Sequence, residues 1–130
     1  MYYQTLEQSP RNHRGDQVSF LLLGKGQFGS QNVAITWVEG APGSEQPAHS
    51  HRANEQVFVI VRGRGLMKVG DEAQEVGPGT AVFIPPNTSH SIRSIGGEPL
   101  VYVSATAPPF EMPPADSRFA YVPPPDNTTG

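Results

Sequence analysis

Glycine and proline occupy 14 positions each in a chain of 130 residues, and they sit between short apolar runs rather than inside them. Proline removes a backbone donor and glycine supplies turn conformations, so a chain punctuated this densely cannot build long helices. The runs cover residues 18–23, 32–38, 56–61, 66–69, 74–76, 80–84, 89–93 and 100–105, and the breaks fall at 24–26, 40–43, 63–65, 70–71, 77–79, 85–87 and 96–97. None of the runs carries a 3.6-residue apolar period. Eight short strands at this spacing predict an all-β sandwich or barrel.

The segments outside the runs are polar or proline-rich. Residues 1–17 are expected to form an N-terminal arm that orders only where it packs on something, 18–107 the barrel, and 108–130 a Pro-rich tail. That tail cannot enter a central strand, and its Phe110, Phe119 and Tyr121 suggest docking across a surface. One domain of this length buries a core without a disulfide. The chain contains no Cys, which excludes thiolate metal sites and Cys nucleophiles and leaves His, carboxylate, amide or water to hold any metal. A net charge of −3 offers no basic footprint for nucleic acid. The run 18–23 is too short to span a bilayer, so the expectation is a cytoplasmic protein with neither a nucleic-acid nor a membrane partner.

Three of the four histidines carry the chemical signal. His49 and His51 lie two apart, so in a strand they share a face, about 7 Å from each other; His90 follows about forty residues later. His13, in the polar leader, reads as a solvated side chain.

The frame around these histidines resembles the cupin superfamily, in its small single-domain metal-binding form. Gly43, five residues, His49-Ser50-His51, four residues, Gln56, six residues and Gly63 is similar to the first cupin motif. Gly79, five residues, Pro85, one residue, Asn87, two residues, His90, three residues and Ser94 is similar to the second. The resemblance implies a double-stranded β-helix, a jelly-roll barrel of two antiparallel sheets. It also implies one divalent metal in the barrel mouth, held by His49, His51, Gln56 and His90. The metal set is Fe, Mn, Ni, Co or Zn. Gln56 stands where the family usually has a metal-binding Glu; Glu55 is its neighbour, but on a regular strand the two face opposite ways. Asn87 replaces a turn Gly, a change that left-handed Asn tolerates, and Ser94 replaces an Asn.

A neutral amide beside three neutral imidazoles leaves the full charge on a divalent ion, which strengthens it as a Lewis acid. The expected function is that of an enzyme acting on a small oxygenated molecule by isomerisation, ketonisation, cyclisation or elimination, with a metal-bound water as proton acceptor. This ligand set looks like that of small cupins that ketonise unsaturated uronates, and small cupins also include polyketide cyclases. Two alternatives share the scaffold: an iron or nickel dioxygenase, and a non-catalytic protein that binds a sugar or an acid. Phe58 and Ile60 share the face of Gln56 and are expected in the substrate pocket, with Trp37 and Tyr102 as aromatic candidates for its rim. Arg62, Arg64 and Arg93 are candidates to meet an anionic substrate, while Glu39, Glu45 and Glu111 read as solvated. Val57, Val59 and Val61 should face outward and ask for cover, and small cupins often pair back to back, so a homodimer is expected.

Overall fold

The computed structural model describes residues 1–110. Ten strands follow one another: β1 (Arg11–Arg14), β2 (Gln17–Leu23), β3 (Ala34–Gly40), β4 (Glu45–His49), β5 (Glu55–Arg62), β6 (Gly65–Val69), β7 (Glu72–Val76), β8 (Ala81–Ile84), β9 (His90–Ser94) and β10 (Leu100–Ala107). Among the described residues the only helical element is a 3₁₀ turn at Gln27–Gly29. The strands form a six-stranded sheet in the order β1-β2-β3-β10-β5-β8 and a four-stranded sheet in the order β4-β9-β6-β7, antiparallel throughout. This is the jelly-roll architecture. No helix among the described residues is long and apolar enough to cross a membrane.

Each of the eight apolar runs contains or overlaps a strand, and two further strands, β1 and β4, have no apolar run at all. β1 reads RNHR and lies within the segment expected as an arm. It forms because Gly15, at φ 62, closes a tight hairpin that pairs Arg14 with Gln17 and Arg11 with Phe20. β4 reads EQPAH, and its Pro47 is accommodated because β4 is an edge strand. Both strands are held by cross-strand pairing rather than by burying a hydrophobic face, so no periodicity announces them. The expected docking of the tail falls on 111–130, outside the described residues, apart from Phe110.

β5 shows how the pleat sorts its residues. Gln56, Phe58 and Ile60 are buried, while Glu55, Val59 and Val61 are exposed. The inward side chains join Val38, Met67, Val76, Ile84, Ile92, Leu100 and Tyr102 in one core between the sheets. The outward side leaves Val59 and Val61 at 40% and 43% exposure and Phe83, from the neighbouring β8, at 55%. Gly63, the last residue of the first motif, has φ +81, and a Cβ there would collide with the Pro99 carbonyl. Only glycine fits that turn.

Candidate metal centre and its cavity

The two motifs meet where β4 pairs with β9, which sets His49 directly opposite His90. The register shifts between Gln46 and His49, and β4 ends at His49, so His51 lies in the following loop rather than on the same strand. The convergence is therefore tighter than strand alternation provides. Ring centroids lie 4.9 Å apart for His49 and His51, 4.2 Å for His49 and His90, and 5.4 Å for His51 and His90. One ligand nitrogen from each lies within 4.8 Å of the others, so these three side chains could hold a metal ion. The loop is secured by the second motif, because the Asn87 N–H donates to the His51 carbonyl at 2.6 Å. Asn87 itself sits at φ 61, the left-handed conformation expected where the family has glycine.

The tautomers follow from the hydrogen bonds. Nδ1 of His49 lies 2.8 Å from the Pro47 carbonyl and Nδ1 of His90 lies 3.0 Å from the Thr88 carbonyl. A carbonyl only accepts, so each Nδ1 carries the proton and each Nε2 presents a lone pair. Second partners of this kind orient ligating imidazoles in metal sites. The Nε2 of His90 is buried with no hydrogen-bond partner, and so is the Oε1 of Gln56. Two orphaned acceptors in a buried site is the state that a bound cation relieves, so the residues present fit a metal. The amide of Gln56 is held by its other end, with Nε2 donating to Ser104 Oγ at 3.2 Å and Thr106 Oγ1 at 3.0 Å. With the NH2 end on the two hydroxyls, Oε1 is left as a fourth candidate donor. Glu55 is exposed, on the opposite side of β5.

Burial, and then the neighbouring charges of His49 and His90, lower the pKa of His51 from 6.5 to about 4. His90 is also lowered, chiefly by burial, against the opposing bond to Thr88. Both imidazoles are thus neutral and competent as ligands at neutral pH. The folded state binds fewer protons here than the unfolded chain, so the stability of the metal-free protein is full above about pH 6.5 and declines as pH falls toward 4. Thermal unfolding of the metal-free protein should show a lower Tm at pH 5 than at pH 7, and His51→Asn should narrow that difference. A gap equally wide in the variant would show that His51 does not contribute.

His49 and His51 open onto a cavity of about 320 Å³, at the small end of ligand sites, which run from about 300 to 1000 Å³. Phe58 and Tyr102 line it and stack on each other at 4.7 Å. Burial pushes the Tyr102 phenol above its usual pKa, against the opposing charge of Arg14, and its O–H donates to Gln46 Oε1 at 2.6 Å. Tyr102 therefore acts as a neutral donor, and its ring is an interior wall rather than a rim. Ile60 does not line the cavity; it is 1% exposed and lies within the core. Trp37 does not line it either. Thr36 and Val38 on the same strand face the cavity, so Trp37 projects to the other side of the sheet, where its Nε1 donates to Glu39 Oε2 at 3.0 Å. Phe110, at the start of the tail, packs on His51 with ring centroids 4.4 Å apart, and Asn54 Nδ2 donates to the Pro108 carbonyl just before it.

The arginines divide differently from the sequence expectation. Arg62 pairs with Glu98 at 3.2 Å and Arg64 with Glu75 at 2.7 Å, each half-exposed, and Arg93 is exposed; none lines the cavity. The arginine that does is Arg14, together with Asn12 and Ser19 of the same hairpin. Nothing in its polar surroundings signals that strand. Ser104 and Thr106, by contrast, alternate with Tyr102 along β10, and that period of two places all three on one face.

Residues 36–106 match the family described as Cupin domain. The chain belongs to the cupin family. A curated relative, uncharacterized protein MJ1618 of Methanocaldococcus jannaschii, is 40% identical over 68 residues, 52% of this chain and 54% of its own. Another, auxin-binding protein 1 of Arabidopsis thaliana, is 33% identical over 95 residues, 65% of this chain and 47% of its own. The cupin chain thus spans about half the length of the curated relatives it matches. Among solved structures, the polyketide cyclase RemF from Streptomyces resistomycificus superposes with a TM-score of 0.71 at 21% identity, covering 82% of this chain and 79% of that one. That similarity establishes the shared fold.

Proposed function

We propose that this cupin is a metal-dependent enzyme that acts on a small oxygenated molecule by Lewis-acid chemistry of the isomerase, ketonisation or cyclase type. The observation that carries the proposal is the pair of buried, partnerless acceptors, His90 Nε2 and Gln56 Oε1, beside His49 and His51, which line the cavity. His49, His51, His90 and Gln56 would hold one divalent transition metal. Such an ion polarises a carbonyl or enolate oxygen, and with four neutral ligands it keeps its full charge for that task. The chain's own residues do the rest. Phe58 and Tyr102 supply an apolar part of the cavity wall, Phe110 packs over His51, and Ser104 with Thr106 holds the Gln56 amide in place. The polyketide cyclase fold neighbour is in keeping with this class of reaction.

The decisive comparison is between turnover and oxygen uptake. Metal-loaded protein should convert one of a panel of unsaturated uronates, enols and phenolic polyketides without consuming oxygen. Substrate-dependent uptake in an oxygen electrode would replace this reading with a dioxygenase. Gln56→Glu should retain or tighten the metal while slowing turnover, because the carboxylate cancels one unit of charge. Faster turnover in that variant would contradict the role given to the amide. The exposed outer face at Val59, Val61 and Phe83 supports a second proposal, that another copy of the chain covers it. Light scattering should then give about twice the 14.0 kDa chain mass, and elution at the chain mass would exclude the dimer.

A further inference from the structure

The cavity holds a charge that the metal chemistry does not use. Arg14, at the end of β1, lines it, and its Nε is sealed from solvent without a hydrogen-bond partner. One terminal nitrogen, Nη2, donates to Ser19 Oγ at 3.2 Å. Among the described residues no Asp or Glu lines the cavity, and Arg14 forms no ion pair. The side chain is partly buried and always charged, and burying a guanidinium without an anion is unfavourable. Arg62 and Arg64, by contrast, each pair with a glutamate at the surface.

We infer that Arg14 is the anchor for a carboxylate on the substrate, so that this cupin selects small monoanionic acids bearing a second oxygen for the metal. The inference rests on the metal-centred reading above and adds the substrate class to it. Three observations converge. Apart from His49 and His51, the guanidinium is the only cationic side chain among the described residues that line the cavity. Its donors match the two oxygens of a carboxylate, a geometry that an ammonium or an amide does not reproduce. Asn12 and Ser19, both buried and both facing the same space, supply uncharged polar groups beside it. A cavity of about 320 Å³ is large enough for one such acid. Arg14 is thus a specificity residue whose work is done in binding.

The test uses matched acids and amides: salicylate with salicylamide, lactate with lactamide, and galacturonate with galacturonamide, titrated calorimetrically into the full chain both metal-loaded and chelator-treated. At least one acid should bind about tenfold or more tightly than its amide, as expected for a charge-assisted pair. In Arg14→Gln that preference should fall to about threefold or less, with metal content unchanged. Arg14→Lys, which keeps the charge but loses the fork, should retain part of the preference, and it supplies the comparison if the Gln variant does not fold. Equal binding of acids and amides by the wild type, binding of no probe, or a preference that survives unchanged in the folded variants would overturn the inference. The chelator-treated arm separates the two claims. A preference present without metal and lost in Arg14→Gln upholds the anchor even if turnover is never found, whereas one that appears only with metal and ignores Arg14 assigns the carboxylate to the metal.

Discussion

His90→Ala should reduce bound metal from about one equivalent per chain to less than about a tenth of that after dialysis, measured by elemental analysis of untagged protein. His90 is 2% exposed, its Nδ1 is engaged by Thr88, and its Nε2 has no partner. The substitution therefore removes a lone pair that is already oriented and desolvated. Loss of an outer partner of a ligating histidine alone weakens metal binding by about 10 to 100-fold, so loss of the ligand itself should exceed that. The substitution also removes a ring packed edge-on to Phe58 at 6.0 Å, so circular dichroism must show that the variant is folded before its metal content is read. His13→Ala is the matching control. His13 lines a separate surface groove with Asp16 and Glu39, and its loss should leave the metal in place. A His90→Ala protein that is folded and fully loaded would remove His90 from the site.

Ile60→Ala should lower stability by about 3 kcal/mol, within the roughly 2–5 kcal/mol range for truncating a buried aliphatic side chain. For a domain of this size that is roughly 10 °C in Tm. The side chain is 1% exposed and belongs to the contact cluster between the sheets with Phe58, Ile84 and Met67. A residue lining the cavity would behave otherwise, because a ligand or water could occupy the space left behind. Differential scanning calorimetry distinguishes the two. A Tm within about 2 °C of the wild type would mean that the site collapses or hydrates, and that Ile60 is not core. Ser104→Ala with Thr106→Val should have a different signature, weakening metal affinity about tenfold as well as costing about 2 kcal/mol of stability, since it leaves the buried Gln56 amide without the two hydroxyls that hold it. Unchanged affinity would show that the amide needs no such support.

The part of this protein that sequence discloses is the part governed by burial and by local backbone geometry. The pleat of β5 sets Gln56, Phe58 and Ile60 inward and Glu55 outward, and period-two reasoning finds all four. Asn87 adopts the left-handed turn that its place in the second motif requires. Facing is not depth, however, and the same periodicity that points Ile60 inward cannot say that it lies in the core while Phe58 lines the cavity. Trp37 shows the complementary limit. Its aromatic character suggests a pocket, but its position between Thr36 and Val38 turns it to the outer side of β3. β1 and β4 are stabilised by backbone pairing, β1 with β2 across a tight hairpin and β4 with the distant β9, and backbone pairing leaves no apolar pattern in the sequence. Arg14 was hidden for that reason, because a charged residue in a polar leader reads as solvated until the hairpin folds over the cavity.

The central claim is the ligand set, and X-ray absorption at the metal edge of the loaded wild-type protein reads it directly. The structure predicts outer-shell scattering from three imidazoles, with the remaining nearest neighbours light oxygen donors that include the Gln56 amide. The imidazole count should drop to two in His51→Ala loaded with excess metal. Two or fewer imidazoles in the wild type, or a count unchanged by that substitution, would contradict the site built here from His49, His51, His90 and Gln56.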